Sequence, residues 1–370
     1  MSIDGGDMDD GVPKGASQLL ARAAAADARA DRRLAVAIDD FLLPDDVRLD
    51  ERTRVTIAAV LAAVVATVEG ALRQHASRLL VSRGEPEIAQ ALIAPAAPAL
   101  DRLSEAGLTR DTDLMRELIA RARQDLLAES LPTAIPDDPE TPSLLARLTG
   151  HADGVVAASA QAFLVAESRR RSSDDSNVPR TDLPAELHHR LVWWVAAVLR
   201  EAHVDTPDAT PGALDRALAE AALRSLAAHD ESERVEAAAM RLAVAIEPQP
   251  GELQALLVEA LGDRRVALFV ALLAHALGVD FEQAREIVLD PAGDRLWLAL
   301  RALDLPREAI ARIALTLSEG DPHRDIEAFA DLLGTIAAVP AAEARAALAP
   351  LKLHPDYRAA LVALARGKAR

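Results

Sequence analysis

Almost every stretch of this chain spaces its apolar residues three and four apart, and none sustains the every-second-residue alternation of a half-buried strand. Each segment therefore carries one apolar stripe along a helix, and the expected fold class is all-α. Residue choice agrees. The hydrophobic 51% of the chain is mostly Ala and Leu, and Arg far outnumbers the three Lys, so both vocabularies favour helix. Aromatic residues make up only 2%, which excludes a core built around large rings and points to close helix packing through small side chains.

Breakers along the 370 residues divide this helical pattern. Residues 1–15 are acidic and Gly-rich, as in Met1-Ser-Ile-Asp-Gly-Gly-Asp-Met-Asp-Asp10, and read as a disordered tail instead of a secretory signal. An N-terminal helical domain is expected over 16–130. It holds amphipathic helices in Ser17 to Phe41, a long helix capped by Asp50 and broken by Gly84 and Pro86, two short helices around Pro95, and a longer one from Asp111 to Glu129. Four prolines between Leu131 and Pro142 preclude continuous helix, so 131–142 is read as a linker and 143–370 as a C-terminal helical-repeat domain. A second break spans Ser172 to Thr181.

Two phrases recur. Asp182-Leu-Pro-Ala-Glu186 returns as Asp304-Leu-Pro-Arg-Glu308, each read as a capping Asp, a first-turn Pro and a Glu at the positive helix end. Ile88 to Pro95 followed by Leu100 resembles Ala284 to Pro291 followed by Leu296. A helix, a Pro break and further helices, occurring twice, predict stacked helical hairpins in a HEAT-like or irregular solenoid.

With 41 basic against 58 acidic residues the net charge is -17, which disfavours nucleic acid as a partner. The absence of Cys removes thiol chemistry and Cys-ligated metals and suits a cytoplasmic setting. Ile57 to Val68 is the most apolar run, about twelve residues against the roughly twenty of a bilayer span; it is expected to be a buried helix, with no membrane span. Phosphate-binding, dinucleotide, nucleophile-elbow and zinc-helix motifs are missing, so no catalytic, cofactor or metal residues are assigned.

Candidate contacts are few. Trp193 and Trp194 lie on one helix, where Leu183, Leu187, Leu191, Trp194, Val195 and Val198 define the expected core stripe. Burial of both rings is the expectation; an exposed Trp193 would instead suit a partner surface. Arg169, Arg170 and Arg171 could attract phosphate or an acidic partner, but complementing the negative pole of a helix C-terminus is the simpler reading. His188 and His189 diverge by about 100° on a helix and read as helix-face residues. Asp321, His323 and Asp325 form a loop cluster that helix capping by Asp321 explains more simply than a metal-dependent hydrolase does.

Leu187 to Arg200 and Leu289 to Leu303 resemble segments of a bacterial helical family known as domain of unknown function 2336, with a likeness of order and wording over roughly Arg48 to Leu333. That resemblance implies an all-helical cytoplasmic bacterial protein and carries over no active site. The expected function is a non-catalytic protein–protein interaction module, regulatory or adaptor in kind, with protein partners or further copies of itself. The alternative is a small-ligand or lipid sensor whose apolar pocket is lined by Trp193, Trp194 or Trp297.

Overall fold

The computed structural model describes residues 48–132, 142–171, 181–203, 212–354, 356–358, 360–361 and 364. The expected tail, the Ser17 to Phe41 helices, nearly all of the Pro-rich linker and most of the Ser172 to Thr181 break lie outside the described residues. Backbone contacts divide the chain into Met1–Glu51 and Arg52–Arg370. The helices described below belong to the second unit apart from the first residue of α1.

The fold is all-α, with no strand among the described residues. Helix α1 (Glu51–Ser82) ends before Gly84, and α2 (Pro86–Ile93) and α3 (Ala99–Glu105) follow. Asp111 then caps α4 (Thr112–Ser130), its Oδ1 accepting the Leu114 N–H at 2.9 Å. Beyond the Pro-rich stretch come α5 (Leu144–Thr149), α6 (Gly154–Arg171), α7 (Ala185–Ala202), α8 (Ala213–Ala228), α9 (Val235–Ile246), α10 (Pro250–Gly262) and α11 (Val266–Leu277). There follow α12 (Phe281–Leu289), α13 (Asp294–Ala302), α14 (Arg307–Gly320), α15 (Ile326–Ala338) and α16 (Ala341–Leu348), with further helical residues at 356–358, 360–361 and 364.

Consecutive helices pack in pairs, among them α5 with α6, α7 with α8, and α10 with α11. The centre is α11, in which every residue from Val266 to Ala274 is buried. It packs against α9, α10, α12 and α4, so helices from both sides of the Pro-rich stretch share one apolar core. Gly320 shows how tightly α4 and α14 meet, because a Cβ there would come within 2.9 Å of Leu131 Cδ2.

Three expectations change. The run Ile57 to Val68 is buried on one side only: Ile57, Val64, Val65 and Val68 face inward, whereas Ala58, Ala59, Ala62, Ala63 and Ala66 are exposed. Alanine is small enough for either environment, so composition did not distinguish them. By length and composition α1 could cross a membrane, and 28% of its most apolar stretch is buried in this fold. In the repeated phrase, Pro184 and Pro306 occupy the N-cap positions themselves, and no side chain caps either helix. Asp182 instead bonds Arg170, while the shared function of the phrase is to bury Leu183 and Leu305. Finally, Asp325, not Asp321, caps the helix after the acidic loop, accepting the Ala328 N–H at 2.9 Å.

Candidate functional site

Helix α4 carries two apolar stripes, which one neighbouring helix cannot cover. Leu114, Leu118, Ala122 and Leu127 form the buried stripe. Met115 and Ile119 form a second, half-buried one, flanked by Arg116 and Arg123.

The inner side of α4 is locked by charge. Glu117 receives Arg285 of α12 through both carboxylate oxygens, at 2.5 and 3.3 Å, and Arg234 at 3.1 Å. Arg234 lies 3.5 Å from Glu236 of α9, and Glu236 also accepts from Arg170 at 2.5 Å. Burial would raise the Glu236 carboxyl, but Arg170 and Arg234 overcome it and hold the group down at about 2. Burial also raises Asp125, against the opposing pull of Arg170 and Arg121. Mutual attraction among these buried ions mainly offsets their desolvation, so the cluster fixes which helices meet more than it adds net stability.

The outer face of α4 is left open. Beside the C-terminal end of α12 and the start of α13 it forms a groove of about 690 Å³. Its apolar lining is Met115, Ile119, Ala120, Leu289 and Pro291, and its polar lining is Arg110, Arg116, Arg123 and Arg295 with Thr112, Glu286 and Asp290. Arg116 is paired with Asp113 at 2.9 Å and Arg295 with Asp290 at 3.5 Å. Among the described residues Arg110 and Arg123 make no ion pair. A locally basic, partly apolar groove thus opens on a chain of net charge -17.

The residues singled out from sequence are not brought together. Trp193 is 37% exposed, which corrects the expectation that both rings are buried; its indole N–H donates to His189 Nε2 at 3.0 Å. Trp194 and Val198 are only half-buried, because the inward stripe of α7 runs instead through Leu187, His188, Leu191, Val192, Val195 and Leu199. Trp297 is buried on α13 against Phe329 of α15, ring centroids 4.6 Å apart, so the three Trp do not line a shared pocket. Arg169 pairs with Glu233 and Arg171 with Glu167 at the surface, whereas Arg170 belongs to the interior ion cluster and presents no charge to a partner. Asp321 accepts from the His323 backbone at 3.1 Å and lies 3.0 Å from its ring. Among the described residues no group of three His, Asp or Glu is placed to hold a metal ion.

Two features escaped the sequence reading. One is the groove; its signal was the second stripe of α4, Met115 and Ile119, beside Arg116 and Arg123. The other is His188, which is buried and stacked on His229 at 4.1 Å, with Thr181 Oγ1 2.7 Å from Nδ1. Its position, one residue after Leu187 and three before Leu191, put it on the inward side of α7.

Residues 174–349 match the model of a family described as uncharacterised protein conserved in bacteria (DUF2336). The likeness therefore holds over that segment, a little under half of the chain, which begins after the Arg48 expected from the wording and runs beyond Leu333. It includes the α12 and α13 side of the groove and excludes α4. No curated protein sequence and no solved structure matches the chain.

Proposed function

We propose that this protein is a non-catalytic protein-interaction module, regulatory or adaptor in kind, that docks a protein partner along the groove between α4 and the α12–α13 junction. The observation that carries this reading is the groove's composition: Met115, Ile119 and Leu289 line it together with four Arg and two carboxylates. An open furrow of this kind suits a partner's side chains entering from above. A small ligand needs most of its surface enclosed.

On this reading α1 is a scaffold helix, because it buries Val65, Val68, Leu72, Ala76 and Leu80 within the fold. A reducing cytoplasm is the compartment that the Cys-free chain suits.

A photoreactive residue placed at Ile119 of the full chain in its bacterial host tests the proposal. Crosslinking to a protein is expected, with loss of the crosslink when Leu289→Glu puts a charge in the apolar lining. The absence of any protein crosslink would overturn it, and stabilisation of the purified chain by a metabolite or lipid in a thermal-shift screen would then favour the small-ligand reading.

A further inference from the structure

We infer that the occupant of the groove is an acidic amphipathic helix about three turns long, and that Trp193 is a second anchor beside it; this rests on reading the groove as a protein-docking surface. Length supports a helix. On α4 the lining residues run from Thr112 through Met115, Ile119 and Ala120 to Arg123, one continuous helix face roughly 16 Å long. No strand edge exists among the described residues to pair with an extended peptide. A helix laid along that face can set residues at i, i+3, i+4 and i+7 onto the apolar lining and keep its polar side toward the polar lining.

Charge selects the sign of that polar side. Arg110 near one end of the α4 face and Arg123 at the other are without ion-pair partners among the described residues, against one such carboxylate in the lining, Glu286; Arg116 and Arg295 are already matched by Asp113 and Asp290, so the open charge of the groove is net positive. Glutamates on the incoming helix complete the two open cations, giving the docked pair a fixed register. Nucleic acid fits less well, because its phosphates have no use for an apolar lining.

The surface continues onto α7. Arg190 bonds Asp111 at 2.6 Å and Asp113 at 3.2 Å, at the start of α4 beside Thr112 of the groove. Trp193 stands one turn along α7 from Arg190 and is exposed. An exposed indole one helical turn from a residue bonded to the start of α4 is the kind of residue that supplies a disproportionate share of binding energy.

Fluorescence anisotropy on the full chain tests this with three labelled peptides: an amphipathic helix with Leu on one face and Glu on the other, its Lys counterpart, and a scrambled Glu peptide of equal composition. The Glu helix is expected to bind and to weaken as salt rises, the other two to bind at least about tenfold more weakly. Arg123→Glu should weaken the Glu helix about tenfold and restore binding of the Lys helix. The exposed Arg110→Glu should do the same if the first variant unfolds. Trp193→Ala should weaken the Glu helix several-fold. Equal binding of the Glu and Lys helices, binding of neither, or indifference to both charge reversals overturns the inference. If the Ile119 crosslink finds a protein whose captured segment is not an acidic helix, only this inference falls; if it finds no protein, the docking reading falls with it.

Discussion

Helices α1 and α11 are built from nearly the same aliphatic residues, yet their surroundings differ. Every residue from Val266 to Ala274 in α11 is buried, whereas α1 shows Ala58, Ala59, Ala62, Ala63 and Ala66 to the exterior. The difference continues in how neighbouring charges are used. Around α11 the ion pairs of Glu117, Arg234, Arg285 and Glu236 lie inside. Around α1 and α7 the cross-helix pairs Arg83–Glu220, Arg102–Glu201 and Arg200–Asp215 lie at the surface, where water screens them. Apolar content alone therefore does not locate the centre of this protein; the number of covered sides does.

The comparison is broken most directly by truncation. Phe269→Ala in α11 should cost about 3 to 5 kcal/mol of unfolding free energy, whereas Val55→Ala on the bare side of α1 should stay within about 0.5 kcal/mol. Urea denaturation of both variants measures it, and similar losses would mean that α1 is as enclosed as α11.

Removing a charge sharpens the contrast between the two kinds of ion pair. Glu117→Gln leaves Arg285 and Arg234 buried without their anion and is expected to cost about 3 kcal/mol. Glu220→Gln, which unpairs exposed Arg83, should cost below about 1 kcal/mol. Chemical denaturation at low and high salt separates them, since only the second loss should shrink with added salt.

Acid probes the α7 side. Burial, reinforced by neighbouring His229, lowers the His188 pKa from 6.5 to about 4. The folded protein thus resists a proton that the unfolded chain accepts. The stability from this group is fully present above about pH 6.5 and is lost as pH falls through 6.5 towards 4, by about 2 kcal/mol at pH 5. Comparing the unfolding free energies of the parent and His188→Gln at pH 7.5 and pH 5 isolates this share; identical pH slopes would count against it.

A smaller loss than those of Phe269→Ala and Glu117→Gln is expected at the turn into α13. Gly293 has φ +73°, and a Cβ there would approach the Trp297 ring to 2.7 Å, so Gly293→Ala should cost about 1 to 2 kcal/mol. The melting temperature of the variant checks it.

Much of the local structure was legible from the chain. The long helix ending at Ser82, the helix of about Asp111 to Glu129 and the breaks at Gly84 and Pro86 follow from residues within a turn or two of each feature. Arg170 and His188 were not legible as interior residues. Their local context, an Arg triplet at a helix end and a His pair on a helix, is equally compatible with the surface. Only Glu236 and Asp182 for one, and His229 with Thr181 for the other, place them inside. The groove was half legible: the second stripe on α4 could be read, but not the α12–α13 wall that turns it into a furrow.

What the sequence by itself determined is helicity, helix boundaries and the apolar stripe on each helix, because propensity, capping and periodicity act over a few residues. Tertiary structure alone decided which stripes are covered, which charges are paired and where a binding face remains. Those depend on neighbours supplied from far away, as when Glu117 meets Arg285 across 168 positions, and burial and dielectric have no value until such segments meet.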